Sequence, residues 1–130
     1  MRHITQPLRS VLYIPASKER VLERAKSLPA DALIFDLEDA VTPDAKDAAR
    51  ALLARQLPQG GYGKRLKLLR VNGLDTPWGE SDIAALQAAG ADAILLPKVN
   101  SAADLEAAAA LIEGDIPLWA MIETARGVLN

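Results

Sequence analysis

The chain has 130 residues, half of them hydrophobic, with 15 basic and 17 acidic side chains and a formal net charge of −2. That balance suits one ordinary domain with a core, and it lacks the dense positive potential needed to track a phosphate backbone, so nucleic acid is not an expected partner. No cysteine is present, which excludes disulfides and thiolate metal sites, and no apolar run approaches the roughly 20 residues of a membrane span, so a soluble, cytoplasmic protein without a membrane partner is expected.

The opening stretch MRHITQPLRS lacks the apolar centre of a signal peptide, and its His3, the sole histidine, reads as a mobile terminal residue. A first strand is predicted over Ser10 to Pro15, then a helix that Ser17 could cap, with Val21, Leu22, Ala25 and Leu28 facing inward. The second strand, Ala32 to Leu37, runs into Thr42-Pro43-Asp44, a cap followed by a proline at the first helical position. Ala45, Ala48, Ala49, Leu52 and Leu53 then share one helical stripe. Gly60-Gly61-Tyr62-Gly63 links that helix to the third strand, Leu66 to Val71, so it reads as turn chemistry on the face away from any ligand. A third helix ends at Ala88-Ala89-Gly90, a fourth strand covers Ala93 to Pro97, and Ser101 with Asp104 resembles a capping box before Leu105, Ala108, Ala109 and Ile112. Leu118 to Ile122 is the fifth strand, Glu123 stands at its tip and Thr124 looks like a helix cap.

Strand and helix alternate throughout, which is the wiring of a parallel sheet, and the near-continuous Val, Ile and Leu of the strands predict that both sheet faces are covered. The chain reads as a single α/β unit, residues 1–130. Two architectures fit: a five-stranded flavodoxin-like open sheet, or the first half of a (β/α)₈ TIM barrel, which typically needs about 250 residues.

In both, ligands meet the carboxyl ends of the strands, so position filters the candidates. Pro15-Ala16-Ser17-Lys18, Asp36-Leu37-Glu38-Asp39, Arg70-Val71-Asn72-Gly73, Pro97-Lys98 and Glu123 pass. Acids crowded at a strand end repel one another unless a cation or basic groups offset them; one could instead cap a helix while the others face water. Carboxylates from separate strands, with no histidine or cysteine near, suit a hard ion such as Mg²⁺. Arg70 can present its planar fork to a carboxylate or a developing enolate, or form a structural ion pair with Asp36 or Glu38. Lys98 suits a phosphate contact, an ion pair with the acids, or a solvated surface.

The segments YIPASKERVLERAKSLPADALIFDLEDAVTPDAK, LLRVNG, ADAILLPKVNSAADL and AMIETARGVLN resemble, in the same order, the citrate lyase β-subunit branch of the HpcH/HpaI aldolase family, which includes malyl-CoA lyase. That resemblance implies a TIM barrel, Mg²⁺, and cleavage or formation of a carbon–carbon bond in a 3-hydroxyacyl thioester such as citryl-CoA or malyl-CoA. It implies Glu123 as a metal ligand, with a second, an aspartate, expected beyond residue 130. It also implies Arg70 as a catalytic and substrate-binding residue, Glu38 and Asp39 as a catalytic acid pair beside the metal, and Ser17, Lys18 and Arg24 on the coenzyme A; Lys98 joins the candidate substrate contacts by its position after the fourth strand. Many relatives have glycine where this chain has Ala16.

An acyl-CoA or acyl-carrier thioester is therefore the expected partner, a homo-oligomer the expected assembly, and the 130 residues by themselves are expected to have little activity. The rival readings are a flavodoxin-like or receiver-like binding module and a structural half-barrel that dimerises through apolar strand edges. A receiver needs its acids after strands one and three, where this chain has Tyr13-Ile14-Pro15 and Arg70-Val71-Asn72.

Overall fold

The structure, a computed structural model, describes residues 4–130, so His3 lies outside the described residues. The elements are β1 (Val11–Pro15), α1 (Glu19–Ala25), β2 (Ala32–Asp36), α2 (Lys46–Gln56), β3 (Leu66–Arg70), α3 (Gly79–Leu86), β4 (Ala93–Leu96), α4 (Ala102–Ala109), β5 (Leu118–Ala120) and α5 (Ala125–Leu129), with 3₁₀ turns flanking α2. All five strands are parallel and each pairs with its predecessor, in the order β1-β2-β3-β4-β5. A flavodoxin-like sheet would place β1 inside the order, between β2 and β3. Sequential order is the arrangement of a barrel wall, and it removes the open-sheet alternative.

The two sheet faces differ. Phe35, Leu37, Leu69, Val71, Ile94 and Leu96 point toward the helices and join Leu22, Leu53, Ile83 and Leu86 in the main core. On the other face a smaller cluster of Ala32, Ile34, Leu68, Ala93 and Leu95 is flanked by Ile4, Leu8, Trp119 and Met121, none of which lies on a helix. The expectation of two covered faces thus holds for β2, β3 and β4, by different means on each side, since alternate residues of a barrel strand face the barrel interior rather than a helix, and it fails at β1 and β5. On the edge strand β1, Val11, Leu12 and Tyr13 are 38–45% exposed.

Several predicted signals changed role. Ser17 does not cap α1: Lys18 occupies the cap position in extended conformation, without a side-chain bond, and its carbonyl takes the first helical amides. Thr42 likewise makes no capping bond, because Pro43 opens a 3₁₀ turn before α2 begins at Lys46. The buried stripe of α2 is Lys46, Ala49 and Leu53, while Ala48 faces solvent. Thr124 does cap α5, its Oγ1 accepting from Gly127 N at 2.9 Å. Gly60, Gly61 and Gly63 all have positive φ in the α2–β3 connection, the conformation turns require of glycine. Among the described residues no helix is long and apolar enough to cross a membrane.

Candidate functional site

The carboxyl ends of β2, β3 and β4, with the segment after β5, gather charged side chains at one rim. In-register pairing sets Asp36 of β2 beside Arg70 of β3, the last residue of each strand. Both are buried, and the pair is bidentate, Arg70 Nε and Nη2 each donating to an Asp36 oxygen at 2.7 Å. Asp36 also accepts from the backbone N–H groups of Glu38 and Ala40, both at 2.9 Å. Burial pushes the Asp36 carboxyl up, but the Arg70 fork and the two amides outweigh it and hold its pKa below the usual aspartate value. The Asp36 hydrogen bonds raise the Arg70 pKa against the opposing effect of burial, so the guanidinium stays charged.

With two sides of the fork committed, Nη1 is the edge Arg70 turns to the rim. It lies 3.5 Å from Glu38 Oε1 and 3.5 Å from Met121 Sδ, and the Tyr13 ring stacks on the guanidinium at 4.7 Å. Glu38 Oε1 is buried and has no hydrogen-bond partner among the described residues. Its other oxygen pairs with the Lys98 ammonium, which also lies 3.4 Å from Asp39 Oδ1. The Glu38 hydrogen bond raises the Lys98 pKa. Lys98 has a left-handed backbone, φ 51°, a strained state for a non-glycine residue that is common where function fixes the chain. Its backbone N–H donates to Glu123 Oε1 at 2.9 Å. One residue thus ties the acid pair after β2 to the acid after β5.

The rim therefore brings together Glu38, Asp39, Arg70, Lys98 and Glu123. Ser17, Lys18 and Arg24 stand apart on the β1–α1 side; Ser17 is partly buried, Lys18 and Arg24 are exposed, and among the described residues no side-chain bond links them to the acids. From that loop Ala16 N donates to the Asp36 carbonyl at 3.0 Å. A cleft of about 420 Å³ opens between the loops after β3 and β4, with Glu38 and Lys98 on one wall and Gly73, Asp75 and Asn100 on the others.

Two buried polar residues escaped the sequence reading. Asp82 of α3 takes Asn72 N and Nδ2 at 2.9 and 2.7 Å and Arg50 Nε at 2.7 Å, anchoring the loop after Arg70 to two helices. Lys46 packs beneath the turn after β2. An acid in the first turn of a helix and a lysine among polar neighbours carry no sequence signal that separates them from solvated ones.

For a divalent ion, the donors at the rim are right in kind: carboxylate oxygens from two strands, one of them buried and without a hydrogen-bond partner. They are incomplete in number, since among the described residues no three Asp, Glu, His or Cys side chains are grouped so as to hold a metal.

Residues 9–130 match the family model described as HpcH/HpaI aldolase/citrate lyase. The chain is 62% identical over 130 residues to a (3S)-malyl-CoA thioesterase of Cereibacter sphaeroides, matching all of this chain and 45% of that protein. It is 38% identical over 110 residues to an L-malyl-CoA/β-methylmalyl-CoA lyase of the same species, covering 82% of this chain and 35% of the lyase. The solved structure of the protein CitE from Mycobacterium tuberculosis, in complex with magnesium, acetoacetate and coenzyme A, superposes with a TM-score of 0.72 at 33% identity, over 92% of this chain and 41% of that one. The chain thus spans less than half the length of these relatives, and its five strands correspond to the amino-terminal half of their barrel. By its matched residues and its sequential β/α wall, this chain belongs to the HpcH/HpaI aldolase/citrate lyase family.

Proposed function

We propose that the protein acts on the coenzyme A thioester of a short 3-hydroxy acid of the malyl type, with Mg²⁺ as cofactor. The observation that supports it most is the joining of Glu38, Asp39, Arg70, Lys98 and Glu123 at one strand-end rim. Mg²⁺, held by Glu123 and by ligands elsewhere in the whole protein, would supply Lewis-acid polarisation of a substrate oxygen.

The remaining roles belong to this chain. Arg70, locked by Asp36, offers its Nη1 edge to an oxygen on which negative charge develops, so the positive group is fixed before reaction begins. Lys98 shifts from the acid pair toward a substrate carboxylate. Glu38 and Asp39 accept the proton released from water or from the substrate hydroxyl. Ser17, Lys18 and Arg24, at the mouth of β1, meet the coenzyme A portion.

Two bonds are open to the same site. In hydrolysis, water adds to the thioester carbonyl, the carbon–sulfur bond breaks and the thiol leaves with a proton; the 62% identity to a malyl-CoA thioesterase favours this outcome. In retro-Claisen cleavage, the hydroxyl loses its proton, the bond between the second and third carbons breaks, and an acetyl-thioester enolate departs from an α-keto acid; the likeness to a malyl-CoA lyase favours this one. Incubating the full-length protein with (3S)-malyl-CoA and MgCl₂ separates them. Free thiol without glyoxylate marks hydrolysis, and glyoxylate with acetyl-CoA marks carbon–carbon cleavage. Neither product, or turnover indifferent to EDTA, would sink the proposal.

A further inference from the structure

Lys46 breaks two local rules at once. It opens α2, where the positive end of the helix dipole favours acids over bases, and it is only 7% exposed, although lysine is rarely buried unless paired. Its ammonium donates to the carbonyl of Leu37 at 2.9 Å and to that of Glu38 at 2.8 Å. The Trp78 ring, centred 5.4 Å away, shields it further. The Asp36 carboxylate in turn takes the N–H groups of Glu38 and Ala40. The turn after β2 is therefore gripped twice, by a cation on its carbonyls and an anion on its amides. Burial lowers the Lys46 pKa, and the carboxylates of Glu38, Asp36, Asp82 and Asp39 oppose that effect. Places where local preference is overridden in this way tend to be functional.

We propose that Lys46 is a positioning residue: reaching from α2 under the turn, it fixes the backbone that aims Glu38 and Asp39 at the rim. Its kinetic consequence rests on the reading of that rim as a thioester site, whereas the backbone consequence stands alone. A space-filling lysine would be replaceable by methionine, which has nearly the same length and apolar stem. A positioning lysine would not, because both carbonyls would lose their donor.

The test compares Lys46→Met and Lys46→Gln with the wild-type full-length protein by amide hydrogen exchange and by steady-state turnover of malyl-CoA with Mg²⁺. Amides from Glu38 to Val41 are expected to exchange about tenfold faster in the methionine variant, while those of β2 keep their protection. Turnover, kcat, is expected to fall about 10- to 100-fold with KM changed less than about threefold, the split that misaimed catalytic groups produce. Should the methionine variant not fold, the glutamine variant, which keeps one donor, carries the same pattern at smaller size. Unchanged protection of Glu38 and Ala40, or a kcat within about twofold of wild type, would overturn the role. A wild-type protein with no thioester turnover would count against the proposed function instead, and the exchange comparison would still decide the role of Lys46.

Discussion

Asp36 commits both carboxylate oxygens to four donors, two on Arg70 and two on its own turn. Removing its charge takes the bidentate partner from a buried guanidinium and leaves it only the longer contact with Glu38, so Asp36→Asn is expected to destabilise the fold by about 3 kcal/mol or more, read as a lower urea midpoint. The pH dependence has a defined sign. A carboxyl held below its usual pKa in the fold contributes stability above the unfolded value of about 3.9 and loses it as pH falls through the folded value. The gap between wild type and Asp36→Asn should therefore narrow below about pH 4; a gap that stays constant to pH 2 would show that Asp36 is not the ionised partner. Glu38, Asp39, Arg70, Lys98 and Glu123 were legible as site candidates because each follows a strand, and strand ends are where parallel sheets meet ligands. The ion pair of Arg70 with Asp36 was one of two readings open to the sequence, and the β2–β3 register, which no local pattern encodes, decides for it on one side of the fork. Ser17, Lys18 and Arg24 remain candidates by position and resemblance, with no side-chain hydrogen bond or ion pair joining them to the rim among the described residues.

At the scale of elements, all five strands lie within one or two residues of their predicted limits, since unbroken aliphatic runs between turn residues have few other solutions. Helix starts were harder. Ser17 and Thr42 have capping chemistry, yet the chain enters each helix a little later, and a cap acts only at one position. The stripe of α2 held at Ala45, Ala49, Leu52 and Leu53 and failed at Ala48, and counting apolar residues could not anticipate the buried Lys46 beside it. Close approach is a further hidden constraint: a side-chain carbon at Gly79 would collide with the Gly73 carbonyl, where the start of α3 crosses the loop after β3. Gly79→Ala is expected to cost about 1–3 kcal/mol, the usual penalty of overpacking, and to displace Asn72 and Arg70 with it. Thermal unfolding together with turnover checks this; an alanine variant as stable and as active as wild type would show that the loop yields freely.

For the molecule as a whole, the parallel α/β class and the barrel-like order were readable, the first from alternation and the second only through resemblance to a known family. The difference between the two sheet faces was not, since buried strands look alike whether a helix or a barrel interior covers them. The same geometry bears on the metal. With Glu123 exposed and the acid pair drawn onto Lys98, the 130-residue chain alone is expected to bind Mg²⁺ weakly, with a Kd on the order of 10⁻³ M or above. Titration calorimetry measures this directly, and micromolar binding would mean that the rim already holds a complete ligand set.

Because each strand lies beside the one made just before it, every new β/α unit finds its docking edge already built. Synthesis and assembly can then run in the same direction, each unit zipping onto a finished neighbour as it leaves the ribosome, while the half-exposed edge of β1 waits for the strand that closes a barrel.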